Sequence, residues 1–184
     1  MNGITMTTGT EQNQTYASIS TTNATGILPN NAYNRYNFSI RNTSRFCNNK
    51  LSLDLGAQYI IQNNKNMVGS GQYFNPLVSL YLFPRGENFQ EVQMYERYSE
   101  ARNIMTQYWP EAIFGTALDM QNPYWIMNRM QNKLSKRRYM FNASLKWDIT
   151  DWINVAGRVR VDNSDQDAYE EYYASTRGTF TEGS

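Results

Sequence analysis

Residues 136–162 read KRRYMFNASLKWDITDWINVAGRVRVD. The stretch predicts two β-strands joined by a very short turn. On the first strand Tyr139, Phe141, Ala143, Leu145, Trp147 and Ile149 fall on one face, and Arg138, Met140, Asn142, Ser144, Lys146 and Asp148 on the other. On the second, Ile153, Val155, Gly157, Val159 and Val161 alternate with Asn154, Ala156, Arg158, Arg160 and Asp162. Side chains alternate across a strand with period two, so each strand has one apolar wall and one polar wall. Each strand is long enough to cross about 25–30 Å of hydrocarbon when tilted. Charge sits mid-strand on the polar wall, and aromatic residues sit near the ends of the apolar wall. That is the pattern of a transmembrane β-barrel, with lipid outside and water inside. A large soluble antiparallel sheet shares the alternation and stands as the alternative.

Working outward, residues 33–62 repeat the design. Tyr36, Phe38, Ile40 and Phe46 share one face of a strand over 33–46, against Arg35, Asn37, Ser39, Arg41, Thr43 and Arg45. A turn at Cys47–Lys50 leads into a strand over 51–62, with Leu51, Leu53, Leu55, Ala57, Tyr59 and Ile61 on its apolar side. Residues 3–8 read as the end of a strand, 14–22 as a weak strand, and 23–31 as a loop rich in turn formers. Residues 63–135 form a long insertion. It holds an apolar-aromatic patch at Tyr73–Pro84, a short helix expected over 88–100, and turn-plus-aromatic clusters at Trp109-Pro110 and Asn122–Trp125. After Asp162 the chain turns polar and offers no closing strand. The fold class expected is therefore all-β: an antiparallel transmembrane barrel segment of about five or six strands, with long loops carrying a short helix. Tight turns on one side and long loops on the other place 47–50 and 150–152 in the periplasm, with Phe46 and Trp152 at the interface belt. The 63–135 insertion and the tail after Asp162 then lie outside the cell.

Composition narrows the function. A length of 184 residues fits one domain. The mean hydropathy is −0.68 and no apolar run is long enough for a membrane helix, which leaves a barrel open because alternation dilutes hydropathy. A net charge of +1 gives no case for nucleic acid. There is no histidine, which removes His-based metal sites and Ser-His or Cys-His nucleophiles. Cys47 is the only cysteine, so no internal disulfide forms, and it reads as a small half-buried residue. Asp162, Asp165 and Asp167 lack the glycine and distal glutamate of a calcium loop. No catalytic constellation, metal site or cofactor is expected. The first residues have no basic and apolar signal-peptide pattern, so an exported chain of this kind is expected to be an internal piece of something longer.

Four segments resemble a known family: Tyr16–Tyr36 (YASISTTNATGILPNNAYNRY), Gln72–Gly86 (QYFNPLVSLYLFPRG), Asn122–Ile126 (NPYWI) and Asp148–Asn163 (DITDWINVAGRVRVDN). Together they look like the barrel of SusC/RagA-type TonB-dependent outer-membrane transporters of Gram-negative bacteria. The resemblance implies a 22-stranded barrel with an N-terminal plug. It implies energy from TonB, a SusD-like lipoprotein as lid, outer-membrane lipid around the barrel, and import of glycans or peptides. The chain lacks the TonB box, the plug and the remaining strands, so it resembles a middle fragment of such a barrel. The rival class is a soluble carbohydrate-binding or adhesin-like β-domain, in which another layer would bury the apolar wall.

Two sets of side chains are candidates for contact with a solute. Arg35, Arg41, Arg158 and Arg160 lie on the polar wall, where they either guide substrate or solvate a water- or plug-filled lumen. Tyr73, Phe74, Trp109, Tyr124 and Trp125 lie in the insertion, where they either stack on sugar rings or pack the loop into an ordered cap.

Overall fold

The computed structural model describes residues 1–71, 73–109 and 120–176. Six strands form an open antiparallel sheet in the order β1-β2-β3-β4-β7-β8. They are β1 (Asn2–Gly9), β2 (Asn13–Thr25), β3 (Ala32–Phe46), β4 (Leu51–Lys65), β7 (Met130–Asp148) and β8 (Asn154–Tyr172). Between β4 and β7 the chain makes α1 (Pro76–Leu82), a 3₁₀ turn (Phe89–Gln93), the hairpin β5 (Glu96–Ser99) and β6 (Ile104–Gln107), and α2 (Pro123–Arg129). The fold is thus mostly antiparallel β, as the alternation predicts. Among the described residues no helix is long and apolar enough to cross a membrane.

The chain divides into two compact units. The first comprises Met1–Ala24, Tyr33–Asn64 and Leu134–Asp167, the body of the sheet. Its register is unbroken. On β1 and β2, Ile4 faces Ile19 and Met6 faces Ala17. The Ser18 and Ser39 hydroxyls share a 2.7 Å hydrogen bond, and Arg45 N–H donates to Gln12 C=O at 2.7 Å, so Phe38 stands opposite Ile19. Lys50 N–H donates to Cys47 C=O across the β3–β4 turn, and Thr43 Oγ1 donates to Asp54, which sets Tyr59 beside Phe38. Asp148 N–H donates to Lys50 C=O at 2.7 Å and Ser135 Oγ to Asn63 Oδ1 at 2.9 Å, which sets Phe141 beside Ala57 and Leu145 beside Leu53. Ile149 N–H reaches Ile153 C=O at 3.0 Å, and Asn163 Nδ2 reaches Tyr139 Oη at 2.6 Å, so Val161 follows Phe141.

Turn chemistry fixes these registers. Cys47, Asn48 and Asn49 all have positive φ (54°, 53° and 67°). Asparagine tolerates the left-handed region well, which explains two of the three. Cys47 is exposed there rather than half-buried, because the turn lifts it off the sheet. At the β1–β2 turn, Gly9 has φ 150°, and a Cβ there would lie 2.1 Å from Asn13 C=O.

The second unit comprises Thr25–Ala32, Lys65–Lys133 and Ala168–Ser184, as far as these are described. Its core is Trp125, Ile126 and Met130, with Phe74, Tyr95 and Tyr172 packed against them. Both helices start with the same dipeptide. Asn75 Oδ1 accepts from Leu77 N–H (3.0 Å) and Asn122 Oδ1 from Tyr124 N–H (2.9 Å), each followed by proline in the first turn. An asparagine cap satisfies a free helical N–H, and proline there costs no hydrogen bond.

Several boundaries differ from the sequence reading. Strand β2 runs on to Thr25, and β4, β7 and β8 extend to Lys65, back to Met130 and on to Tyr172. The expected long loop is shorter at both ends, and the described part of the expected polar tail is strand as far as Tyr172. Over 88–100 only Phe89–Gln93 is helical, as a 3₁₀ turn, while Glu96–Ser99 pairs with Ile104–Gln107. Residues 122–125, read as a turn cluster, cap and open α2, and 76–82 form α1. Gln72 and Pro110 lie outside the described residues.

Candidate functional site

The polar wall of the first unit is built by alternation. Odd positions of β3 and even positions of β2, β4, β7 and β8 share it, as the cross-strand contacts Ser18–Ser39, Asn37–Ser20, Arg41–Asp54 and Arg138–Asp162 require. By that alternation eight basic side chains occupy the wall: Arg35, Arg41, Arg45, Lys136, Arg138, Lys146, Arg158 and Arg160. Three acidic ones do: Asp54, Asp148 and Asp162, an excess of five positive charges in a chain whose net charge is only +1. The charge is partitioned onto one face.

This wall bounds a hollow of about 1010 Å³ lined by Arg41, Asp54, Arg158 and Arg160, with Asn142, Ser144 and Gln58 among its polar groups. Arg41 Nε donates to both Asp54 oxygens at 3.1 Å, and Thr43 Oγ1 adds a bond of 3.3 Å. Asp54 is the more enclosed partner, its side chain 23% exposed against 63% for Arg41. Arg138 likewise grips Asp162 with two bonds of 2.8 and 2.6 Å. Gly56 is buried in the floor, where a Cβ would lie 2.4 Å from Asn142 Oδ1. The glycine makes the room in which the Asn142 amide lies. The opposite wall bounds a second, apolar hollow of about 550 Å³, lined by Ile4, Met6, Ile19, Phe38, Tyr59 and Phe141 among others.

Of the nine candidate side chains, Arg41, Arg158 and Arg160 come together at the polar hollow. Arg35 lies on the same wall outside the hollow and donates to Asn37 Oδ1 at 3.0 Å. The five aromatic candidates belong to the second unit. Trp125 is 1% exposed and donates from Nε1 to Thr176 Oγ1 at 3.0 Å, so its ring is core and offers no face to a solute. Phe74 stacks at 5.9 Å on Tyr172, and Tyr124 at 6.1 Å on Phe89; both are half-buried. Tyr73 and Trp109 are half-buried, and Tyr73 C=O accepts from Gln121 Nε2 at 2.9 Å.

The residue that ties the second unit together, Asn122, reads in the sequence only as part of a turn cluster. Asn122 is fully buried; its N–H donates to Gln107 Oε1 (2.9 Å), and its Nδ2 to the carbonyls of Val92 (2.9 Å) and Tyr108 (3.1 Å). One side chain thus caps α2 and holds the 3₁₀ turn and the end of β6. Arg129 grips Glu96 at 2.8 and 2.9 Å and lies 4.9 Å above the Tyr173 ring; the bond to Glu96 raises its pKa above the ordinary arginine value. The three aspartates at 162, 165 and 167 do not converge, because Asp162 binds Arg138 on one face of β8 and Asp167 binds Arg137 on the other, at 2.9 Å.

No family model and no curated protein matches the chain.

Proposed function

We propose that this chain supplies six strands of an outer-membrane, TonB-dependent transporter barrel of the SusC/RagA type. In this reading it imports glycan oligosaccharides or peptides with a SusD-like lipoprotein and does no covalent chemistry. The observation that carries the reading is the uncovered apolar wall. Tyr36, Phe38, Tyr59, Tyr139, Phe141 and Trp147 all lie on it and are each 38–52% exposed. These six alone present on the order of 500 Å² to the surroundings, at about 150–250 Å² per full ring. Soluble monomers rarely leave more than a few hundred Å² of contiguous apolar surface open. At about 25 cal/mol per Å², covering that area is worth roughly 12 kcal/mol. Acyl chains cover such a wall without a second protein layer.

The slant of the apolar band also supports a barrel. Carried across the ladder along opposite residues, the run on β8 (Ile153–Val161) stands level with positions 49–57 of β4, and that of β7 with 49–59. The run of β4 itself is 51–61, and Ile4 and Met6 of β1 stand level with 59 and 57. The centre moves from 53 to 58 over five strand-to-strand steps, about one residue each. With strands about 4.8 Å apart and a rise of about 3.4 Å, that slope is about 35°. Barrel strands tilt by about 35–45° from the membrane normal, so a flat lipid layer marks such a band obliquely.

Trp147 makes this testable. The full chain is refolded with phosphatidylcholine vesicles, and its tryptophan fluorescence is read with lipids brominated at successive depths. Wild type and Trp147→Phe are compared, with buried Trp125 of the second unit as the internal reference. Strong quenching that is lost in Trp147→Phe supports the reading. Quenching that Trp147→Phe leaves unchanged, or a chain that stays monomeric and folded in water without lipid, overturns it.

A further inference from the structure

We infer that Arg158 and Arg160 form an anion-binding rung in the polar hollow, and that the solute passing it is a carboxylate-bearing oligosaccharide. The inference deepens the transporter reading and rests on it. Among the described residues three of the eight basic side chains on this wall are ion-paired: Arg41 with Asp54, Arg138 with Asp162 and Lys146 with Asp148. Arg158 and Arg160 have no ion pair among them. Asp54, which lines the hollow with them, and Asp162 on the same face of β8 already have both oxygens engaged by Arg41 and Arg138. Two free guanidinium groups at i and i+2 of one strand face the same way, about 6.6–6.8 Å apart along the backbone. A guanidinium presents a donor fork that fits a carboxylate, and successive acidic sugars offer repeated carboxylates. The hydroxyl- and amide-bearing groups of the same hollow, Asn142, Ser144 and Gln58, suit sugar hydroxyls. The excess of five positive charges on this wall repels a cationic solute and favours an anionic one.

The test titrates the full chain, refolded in zwitterionic detergent micelles, with trigalacturonic acid, its methyl ester and a glutamate-rich peptide, by calorimetry. The acid is expected to bind at least tenfold more tightly than the uncharged ester. Arg158→Gln and Arg160→Gln are each expected to weaken the acid about tenfold, as loss of a charged hydrogen bond does. Lys146→Gln removes the same charge from the same wall and is expected to stay within about twofold. Equal binding of acid and ester, no binding, or an equal loss in Lys146→Gln overturns the inference. Binding of the acidic peptide but not of the sugar acid also overturns it and points to a protein segment as the occupant. Lipid quenching of Trp147 is read in parallel on the same protein refolded with brominated phosphatidylcholine vesicles. Its absence beside selective acid binding removes the transporter reading and leaves the anion site standing.

Discussion

Arginine scanning down the apolar wall of β7 tests the membrane reading most sharply. The outward positions are Tyr139, Phe141, Ala143, Leu145, Trp147 and Ile149, and Leu145 lies beside Leu53 near the middle of the band. An arginine on the lipid face costs about 2–4 kcal/mol at the bilayer midplane and about 0–1 near the interface. Leu145→Arg should therefore lower the vesicle-folded fraction by about 30- to 700-fold in equilibrium constant, and Leu53→Arg, farther from the centre of the β4 run, by less. Tyr139→Arg, at the rim beside Asn163, should lower it less than about fivefold. Ser52→Arg and Ser144→Arg, on the polar wall, should cost under about 0.5 kcal/mol, as surface changes do. The assay is denaturant-driven release from phosphatidylcholine vesicles, followed by the fluorescence of Trp147 and Trp152. A profile that is flat along β7, or equal costs at Leu145 and Ser144, refutes the lipid wall. A soluble sheet would give that flat profile, because Leu145 is already 46% exposed.

Three further outcomes are expected. Gly9→Ala should destabilise the β1–β2 hairpin by about 1–3 kcal/mol, because its Cβ meets backbone rather than a movable side chain, while Gly56→Ala should cost under about 1 kcal/mol since only the Asn142 amide must move; amide hydrogen exchange at Thr10 and Asn13 reads the difference. Trp125→Ala should cost the second unit about 3–5 kcal/mol and expose its amides to exchange, with β3 and β4 protection unchanged. Cys47 is exposed in the tight turn, so a bulky, membrane-impermeant maleimide should label it in opened cells but not in intact ones. Labelling in intact cells would reverse the topology.

The sheet was legible because burial on one wall writes period two into β3, β4, β7 and β8. The extensions were not, because past Tyr139 and Val161 both faces turn polar. Ser135, Arg137, Asn163 and Asp167 keep the ladder but leave no alternation to read. The helices carried a signal that was passed over: Asn-Pro at 75–76 and at 122–123, a cap followed by a first-turn proline. Over 88–100 the helical spacing of Phe89, Val92, Tyr95 and Tyr98 misled, since a short aromatic segment with a partner strand gains more as a hairpin. For the site, alternation sufficed to gather Arg41, Arg158 and Arg160 on one wall. It had no means to tell that Trp125 is core while Tyr124 is half-buried, because neighbouring helical positions differ only in what packs over them.

One feature of the apolar wall at first sight opposes a lipid setting. Asn13, Thr15, Asn42 and Ser44 stand on it, among residues that should face acyl chains. A lone polar group there costs several kcal/mol. These four are not alone. Asn42 Nδ2 donates to Asn13 Oδ1 at 2.8 Å and to Thr15 Oγ1 at 2.9 Å, and its Oδ1 accepts from Ser44 Oγ at 2.6 Å. Ser44 is 5% exposed. The Asn42 amide is thus bonded at both ends before any solvent is considered. In water such a set gains little, because water offers the same bonds. In hydrocarbon it removes most of the cost of polar residues on this wall, which is the condition under which β2 and β3 can share one lipid-facing surface with β4, β7 and β8.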